Sequence, residues 1–317
     1  MTITEISSQV LKLNKVLIFS HNRPDGDTVG SGTALRLALL KLGKRVDVVC
    51  DSPIPEKFYI VKGADCYLRT EDVTDSYDGF IAVDCSTCSM FNGAYNLFTK
   101  NKNNFNIDHH VSNSKYAKYN CVEDRASCSE LLFDVIESLG VEIDSDIANC
   151  LLLGIVTDTG NFAHSNVTAK TLEYASKLVE KGANLHLISQ KMFKDQSKIR
   201  ATLYARTMSK IRYYLDDAVA IITITKKDLE ECGAVDTMTE GFIDFPLTVR
   251  TVEVAISILE VGEKRYKISF RSKGKVNVNE IASIYGGGGH ILASGAMLNG
   301  YLEDVIDKLV YNVKQRL

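Results

Sequence analysis

Residues 15–32 read KVLIFSHNRPDGDTVGSG, and the order of patterns within them sets the fold. Lys15 to Ser20 is a short β-rich run with the composition of a buried strand. A polar loop carrying His21, Pro24, Asp25 and Asp27 follows. From Gly30 the stretch GSGTALRLALLKLG places Thr33, Leu37 and Leu40 at helical spacing and ends on Gly43, a stop signal. RVDVVC (45–50), GFIAVD (79–84) and NFNID (104–108) repeat the strand pattern. ASCSELLFDVIESLG and DIANCLLLGIVTDTG read as helices, the second apolar around most of its girth. Strands alternating with helices predict an α/β architecture, a doubly wound and mostly parallel sheet with helices on both faces.

The pattern changes after residue 185. HLISQKMFKDQSKIRATLYARTMSKI is polar, helical and free of Gly and Pro, so it predicts a connecting helix over 186–212. AVAIITIT, VEVAISILEV and KISFRSKG then read as strands, with VGEK as the turn between the last two. NVNEIASIY reads as a helix that GGGG interrupts before HILASGAML. The expected organisation is a large domain over 1–185, a linker helix over 186–212, and a smaller α+β domain over 213–317.

A net charge of −3 and a pI near 6.1 argue against a long basic track for duplex DNA. The first residues hold no apolar run long enough for a signal peptide or a membrane span. Eight cysteines at irregular spacing read as reduced thiols, and the one Cys-x-x-Cys, Cys85 and Cys88, lacks a second pair. A cytoplasmic protein is expected.

Metal-type ligands recur at the ends of elements. His21, Asp25 and Asp27 follow the first strand, Asp84 closes GFIAVD, Asp108-His109-His110 closes NFNID, and Asp158 ends an apolar helix. Singly, each has an ordinary explanation: Asp25 and Asp27 are good turn residues, and His164 and His186 read as surface groups. The DTG at 158–160 occurs once and ends a Leu-rich helical run, which speaks against an aspartic protease. Together they fall largely on the carboxyl edge of a parallel sheet, where ligands bind. Carboxylates with neutral imidazoles suit manganese, magnesium or iron rather than a thiolate zinc site. Asp25, Asp27, Asp84 and Asp158 bring four negative charges, which two divalent cations would cancel. Two such ions, roughly 3.5–4 Å apart, form a clamp for in-line attack at phosphorus. Asp84, between the flanking clusters, is the natural bridge.

The glycines of GGGGH (286–290) have no following Lys-Ser/Thr, which excludes a Walker-type loop. They would let backbone N–H groups approach a phosphate, with His290 beside them. In YKISFRSKGK the alternation exposes Arg271, whose guanidinium fork suits a phosphate.

SHNRPDGDTVGSG, VDCS, IDHH and GIVTDTGNF resemble the four motifs of the DHH phosphoesterase family, and GGGGHILASGA resembles its DHH-associated C-terminal domain. The resemblance spans nearly the whole chain and is nearest to the two-domain nanoRNase/pAp-phosphatase branch. It implies a manganese-dependent hydrolase of short oligoribonucleotides (nanoRNA) and of adenosine 3′,5′-bisphosphate (pAp), yielding mononucleotides. Residue by residue, it implies that His21, Asp25 and Asp84 hold one ion and that Asp27, Asp84, His109 and Asp158 hold the other. Asp108 would orient the neighbouring imidazole, and His110 would face the scissile phosphate. Arg271, Gly287, Gly288, Gly289 and His290 would belong to the substrate cleft, with the linker helix allowing closure. Thr28, Cys128 and Asn277 depart from common family residues without removing a ligand. Alternatives are a cyclic di-AMP or pApA phosphodiesterase, a nucleotide sensor without catalysis, and a DHH-core pyrophosphatase, which would not be expected to carry GGGGHILASG. The expected partners are small nucleotides and very short single-stranded RNA, with no membrane; a homodimer remains open.

Overall fold

The computed structural model describes residues 1–317, apart from the side chain of Asn92, and divides into two compact units, Met1–Asp195 and Gln196–Leu317. The first unit runs α1 (Ile3–Val10), β1 (Lys15–Phe19), α2 (Gly26–Lys41), β2 (Arg45–Val49), β3 (Tyr67–Leu68), β4 (Gly79–Val83) and α3 (Tyr95–Phe98). It continues with β5 (Asn104–Asp108), β6 (Tyr119–Val122), α4 (Cys128–Ser138), α5 (Ser145–Asp158), α6 (Ala169–Glu180) and α7 (Leu185–Phe193). The strands form one parallel sheet in the order β3-β2-β1-β4-β5-β6. Every residue of β4 is buried, as expected of a central strand covered on both faces. The short strands β3 and β6 lie at the two edges, where few residues carry any pattern that sequence periodicity could register.

On one face, Val16, Ile18, Val48, Ile81 and Ile107 join the large apolar core that also takes in α2, α4 and α5. The other face is thinner: Phe91 and Phe98, from the short helical turns of residues 88–98, close on Phe19 at ring-centroid distances of 5.8 and 5.2 Å. Helix α2 departs from its expected form at its start. It begins at Gly26, not Gly30, because Asp25 is its N-cap and accepts the Asp27 and Thr28 N–H groups, both at 3.0 Å. Thr33, Leu37 and Leu40 do lie on this helix; Thr33 is buried, Leu37 half-buried and Leu40 38% exposed, and Ala34, Leu35, Ala38 and Leu39 are buried as well. The helix packs against both the strands and α5, so most of its girth is inside. At Gly30 a Cβ would collide with the Cys150 carbonyl oxygen, which shows how closely α2 and α5 approach.

The second unit contains α8 (Lys198–Met208), β7 (Arg212–Tyr214), β8 (Val219–Ile224), α9 (Lys226–Cys232), α10 (Asp244–Leu247), β9 (Val254–Gly262) and β10 (Arg265–Ser272). It ends with α11 (Val278–Ile284), β11 (Gly288–His290), β12 (Ala293–Asn299) and α12 (Leu302–Lys314). Its sheet order is β11-β12-β10-β9-β8-β7, parallel only between β8 and β9, with α11 and α12 packed on one face. The segment 186–212 is two helices rather than one. Ser197 accepts the Arg200 N–H at 3.1 Å and so starts α8 afresh, and Arg212 already belongs to β7. Among the described residues, no helix is long and apolar enough to cross a membrane.

Candidate metal centre

The sheet order reverses between β1 and β4, because the chain proceeds from β1 to β2 on one side and from β4 to β5 on the other. Such a switch point leaves a crevice beyond the strand ends. His21 follows β1, Asp84 follows β4, and Asp108, His109 and His110 end β5. Asp84 has a φ of 55°, in the left-handed region that aspartate tolerates better than most side chains. Its N–H still bonds to the Ile107 carbonyl at 3.1 Å, so the turn is anchored to β5. The side chain is buried, and its Oδ1 accepts no hydrogen bond among the described residues. A buried carboxylate oxygen without a donor is unfavourable by about 1–3 kcal/mol or more, unless a cation meets it.

The expected ligands assemble into two groups around this residue. In the first, His21 Nε2 lies 3.7 Å from Asp25 Oδ1 and 3.5 Å from Asp84 Oδ2. In the second, His109 Nε2 lies 3.4 Å from Asp158 Oδ2, 3.9 Å from Asp27 Oδ2 and 3.4 Å from Asp84 Oδ1. His21, Asp25 and Asp84, and separately Asp27, His109 and Asp158, could each hold a metal ion. Ligand atoms about 2.0–2.2 Å from a shared ion stand roughly 3–3.5 Å from one another, close to the spacings seen here.

The tautomers suit such ions. His21 Nδ1 lies 3.1 Å from the Asn22 carbonyl, and His109 Nδ1 lies 3.1 Å from the Arg125 carbonyl. An Nδ1–H donated to each carbonyl leaves the Nε2 lone pair aimed at the carboxylates.

Without cations the centre is electrostatically strained. Burial pulls the His21 imidazole down, but Asp25 and Asp84 outweigh it and push the pKa up to about 10. His109 is likewise raised: burial opposes the shift, and Asp84 and Asp27 overcome it. Asp27 is raised by burial and then by the charge of Asp84. Asp158 is raised by burial and then by Asp27 and Asp84. Protons therefore do the work of countercharges in the metal-free protein. The donor set, the orphaned oxygen and this crowding of charge all fit divalent cations.

His110 is set differently. Its Nδ1 lies 2.8 Å from Asp108 Oδ1, so the imidazole that Asp108 holds is that of His110. The bond to Asp108 is the main cause of a raised His110 pKa. Asp108 Oδ2 in turn accepts from Asn113 Nδ2 at 2.6 Å. Asn113 was not readable as a site residue, because its partner is defined only once the loop after β5 folds back. His164, read as a surface group, is exposed and places Nδ1 3.3 Å from the Asp158 carbonyl. Asn166 ties that carbonyl to the one of Ala126, at 3.2 and 3.0 Å.

The other expected residues lie in the second unit. Along β10, Tyr266, Ile268 and Phe270 face the core, and Arg271 points to the opposite face, with Nε 3.6 Å from Asp244 Oδ1. Gly288–His290 is itself a strand rather than an interruption; glycines have no side-chain alternation to signal one. Gly287 and Gly289 have a packing reason: a Cβ on either would collide with β12 backbone, and Gly289 has a φ of 151°. Gly288 and His290 are exposed.

A cluster of carboxylates and imidazoles at the switch point of a parallel sheet is a site that could hold metal ions. Residues 15–155 match the DHH family, N-terminal domain, and residues 236–317 match the DHHA1 domain. The chain is 31% identical to the bifunctional oligoribonuclease and PAP phosphatase NrnA of Thermus thermophilus, covering 98% of this chain and 93% of that one. It is 24% identical to the NrnA of Bacillus subtilis, covering 98% and 97% respectively. A crystal structure of an exopolyphosphatase-related protein from Bacteroides fragilis superposes with a TM-score of 0.89 at 25% identity, covering 99% and 96%. The chain belongs to the DHH family.

Proposed function

We propose that this chain hydrolyses very short oligoribonucleotides to mononucleotides and removes the 3′-phosphate of adenosine 3′,5′-bisphosphate, using two divalent cations of which manganese is the first candidate. The observation that carries the reading is the division of the Asp84 carboxylate, one oxygen toward His21 and the other toward His109. The full-length similarity to proteins named oligoribonuclease and PAP phosphatase supports the substrate class.

His21, Asp25 and Asp84 would hold one ion, and Asp27, Asp84, His109 and Asp158 the other. When bound, such ions supply a water of lowered pKa and positive charge against the phosphate oxygens. The remaining work falls to side chains. Asp108 holds the Nδ1–H of His110 and favours the doubly protonated ring, whose Nε2–H would donate to the scissile phosphate or pass its proton to the departing oxygen. In the second unit, Arg271 and His290, with the exposed backbone of Gly288 and its neighbours Gly287 and Gly289, would bind a phosphate of the nucleotide.

A substrate panel with added manganese tests this: pAp, pApA, cyclic di-AMP, pyrophosphate and an RNA ladder from dimers to twelve-mers, resolved by chromatography. The expected result is AMP from pAp and mononucleotides from the shortest oligomers, with rates falling as length grows. Turnover of pyrophosphate alone, or of cyclic di-AMP alone, would overturn the assignment.

A further inference from the structure

Asp27 is a ligand candidate whose two carboxylate oxygens both accept hydrogen bonds, and most of that restraint comes from a residue that none of the motifs includes. The Asp27 carboxylate is fully buried at the start of α4, an eleven-residue helix. Its Oδ2 accepts the Cys128 N–H at 2.6 Å. Its Oδ1 accepts twice from Ser129, from the N–H at 3.0 Å and from the hydroxyl at 2.6 Å. A carboxylate oxygen has two in-plane lone pairs, so Oδ1 is used up and Oδ2 keeps one. Oδ2 is also the oxygen that faces His109 Nε2 at 3.9 Å.

Helix α5 closes over this pair. At Gly154 a Cβ would overlap both the Ser129 hydroxyl and Asp27 Oδ1, so no larger residue fits there. Asp158 lies four residues further along the same helix, which puts it on the same face. The Ser129–Asp27 contact therefore sits directly beneath the second ligand group.

We propose that Ser129 is a positioning residue of the metal centre: its hydroxyl turns Oδ1 of Asp27 away from the gap shared with His109 and Asp158, so that Oδ2 alone meets the ion there. The Ser129 hydroxyl is the only side-chain donor on Asp27 among the described residues; each oxygen accepts one backbone N–H, and the hydroxyl adds the second bond that occupies Oδ1 and leaves Oδ2 a free lone pair. This rests on the two-cation reading above.

The test compares wild type, Ser129→Ala and Ser129→Thr as full chains. Manganese binding is read by calorimetry, half-activating manganese and kcat are read at fixed pAp, and Tm is read with chelator. In wild type two ions should bind. Ser129→Ala should weaken one of them by roughly 10–100-fold and raise half-activating manganese in step, while kcat at saturating manganese largely recovers. Ser129→Thr, which keeps the hydroxyl, should restore affinity. In an Asp27→Asn background, Ser129→Ala should add no further loss. Should the Ala chain be too unstable to load, Ser129→Cys carries the same test, since a thiol keeps the size but donates weakly. Two tightly bound ions in wild type with unchanged affinity in the variant would overturn the role of Ser129. A wild type that binds no ions would instead overturn the two-cation reading, and the role of Ser129 with it.

Discussion

Asp84 Oδ1 stands 3.4 Å from His109 Nε2, and no hydrogen-bond donor among the described residues reaches that oxygen. An imidazole lone pair and a carboxylate oxygen facing each other across such a gap, at the end of a strand turned by a φ of 55°, repel unless a proton or a metal ion lies between them. The same carboxylate presents Oδ2 to His21 Nε2 at 3.5 Å. Asp84→Asn replaces one of those oxygens with an NH2 group that cannot bind a cation. It should remove one or both ions, measured by metal analysis after gel filtration. Activity should fall by more than the ~10–100-fold typical of residues that only support a ligand. Retained turnover with two ions bound would refute the bridging role.

His110 separates catalysis from metal holding. Its Nδ1 is engaged by Asp108 at 2.8 Å, yet it also stands 3.8 Å from Asp84 Oδ1, so Asp84, His109 and His110 form a rival ligand group. His110→Ala should keep both ions and lower kcat by about 100–10,000-fold, the range for a positioned proton donor or phosphate partner. Asp108→Asn should lower kcat less, because the ring remains but its tautomer and aim are no longer fixed. An ion lost with His110→Ala would move that residue into the ligand set.

Most of this centre was legible because its residues sit where strands end. The β-rich runs at 15–20, 45–50, 79–84 and 104–108 became β1, β2, β4 and β5, and a parallel order brings their carboxyl ends together. What stayed hidden depends on partners distant in sequence. Ser129 bonds a carboxylate 102 residues earlier, so its value cannot be seen in RASCSE alone. The early start of α2 depends on Asp25 acting as a cap, a role that a turn aspartate and a ligand aspartate share at the level of residue type. In β11 the signal is missing altogether, since glycines show no alternation.

Acidity should read out the protons that stand in for ions. His21 titrates near 6.5 in an unfolded chain and at about 10 in the metal-free fold. Its contribution to stability is therefore complete below 6.5 and disappears as pH rises through 10. Asp27 and Asp158 are raised from an ordinary 3.8 by burial and by neighbouring carboxylates, so they change stability in the same direction as pH climbs through their raised values. An ion must displace these protons, so its binding tightens with pH. The difference between Tm with manganese and Tm with chelator should widen steadily from pH 6 to pH 9. A gap that narrows over that range would contradict the placement of the protons.

Arg271 tests the second unit by kinetics rather than by metal content. It projects from the face of β10 opposite Phe270, and its nearest carboxylate, Asp244 Oδ1, is 3.6 Å from Nε on an exposed side chain. A pair that open to water contributes little, so a phosphate could displace it readily. A charge-assisted bond from guanidinium to phosphate contributes about 1.5–3 kcal/mol. Arg271→Ala should therefore raise KM for pAp and short RNA by roughly 10–100-fold and leave kcat and both ions in place. A small generic phosphodiester has no second phosphate to lose, so its KM should not move. Equal losses on both substrates would mean that Arg271 supports the fold of its sheet rather than the nucleotide, because a damaged fold has no way to tell a long substrate from a short one.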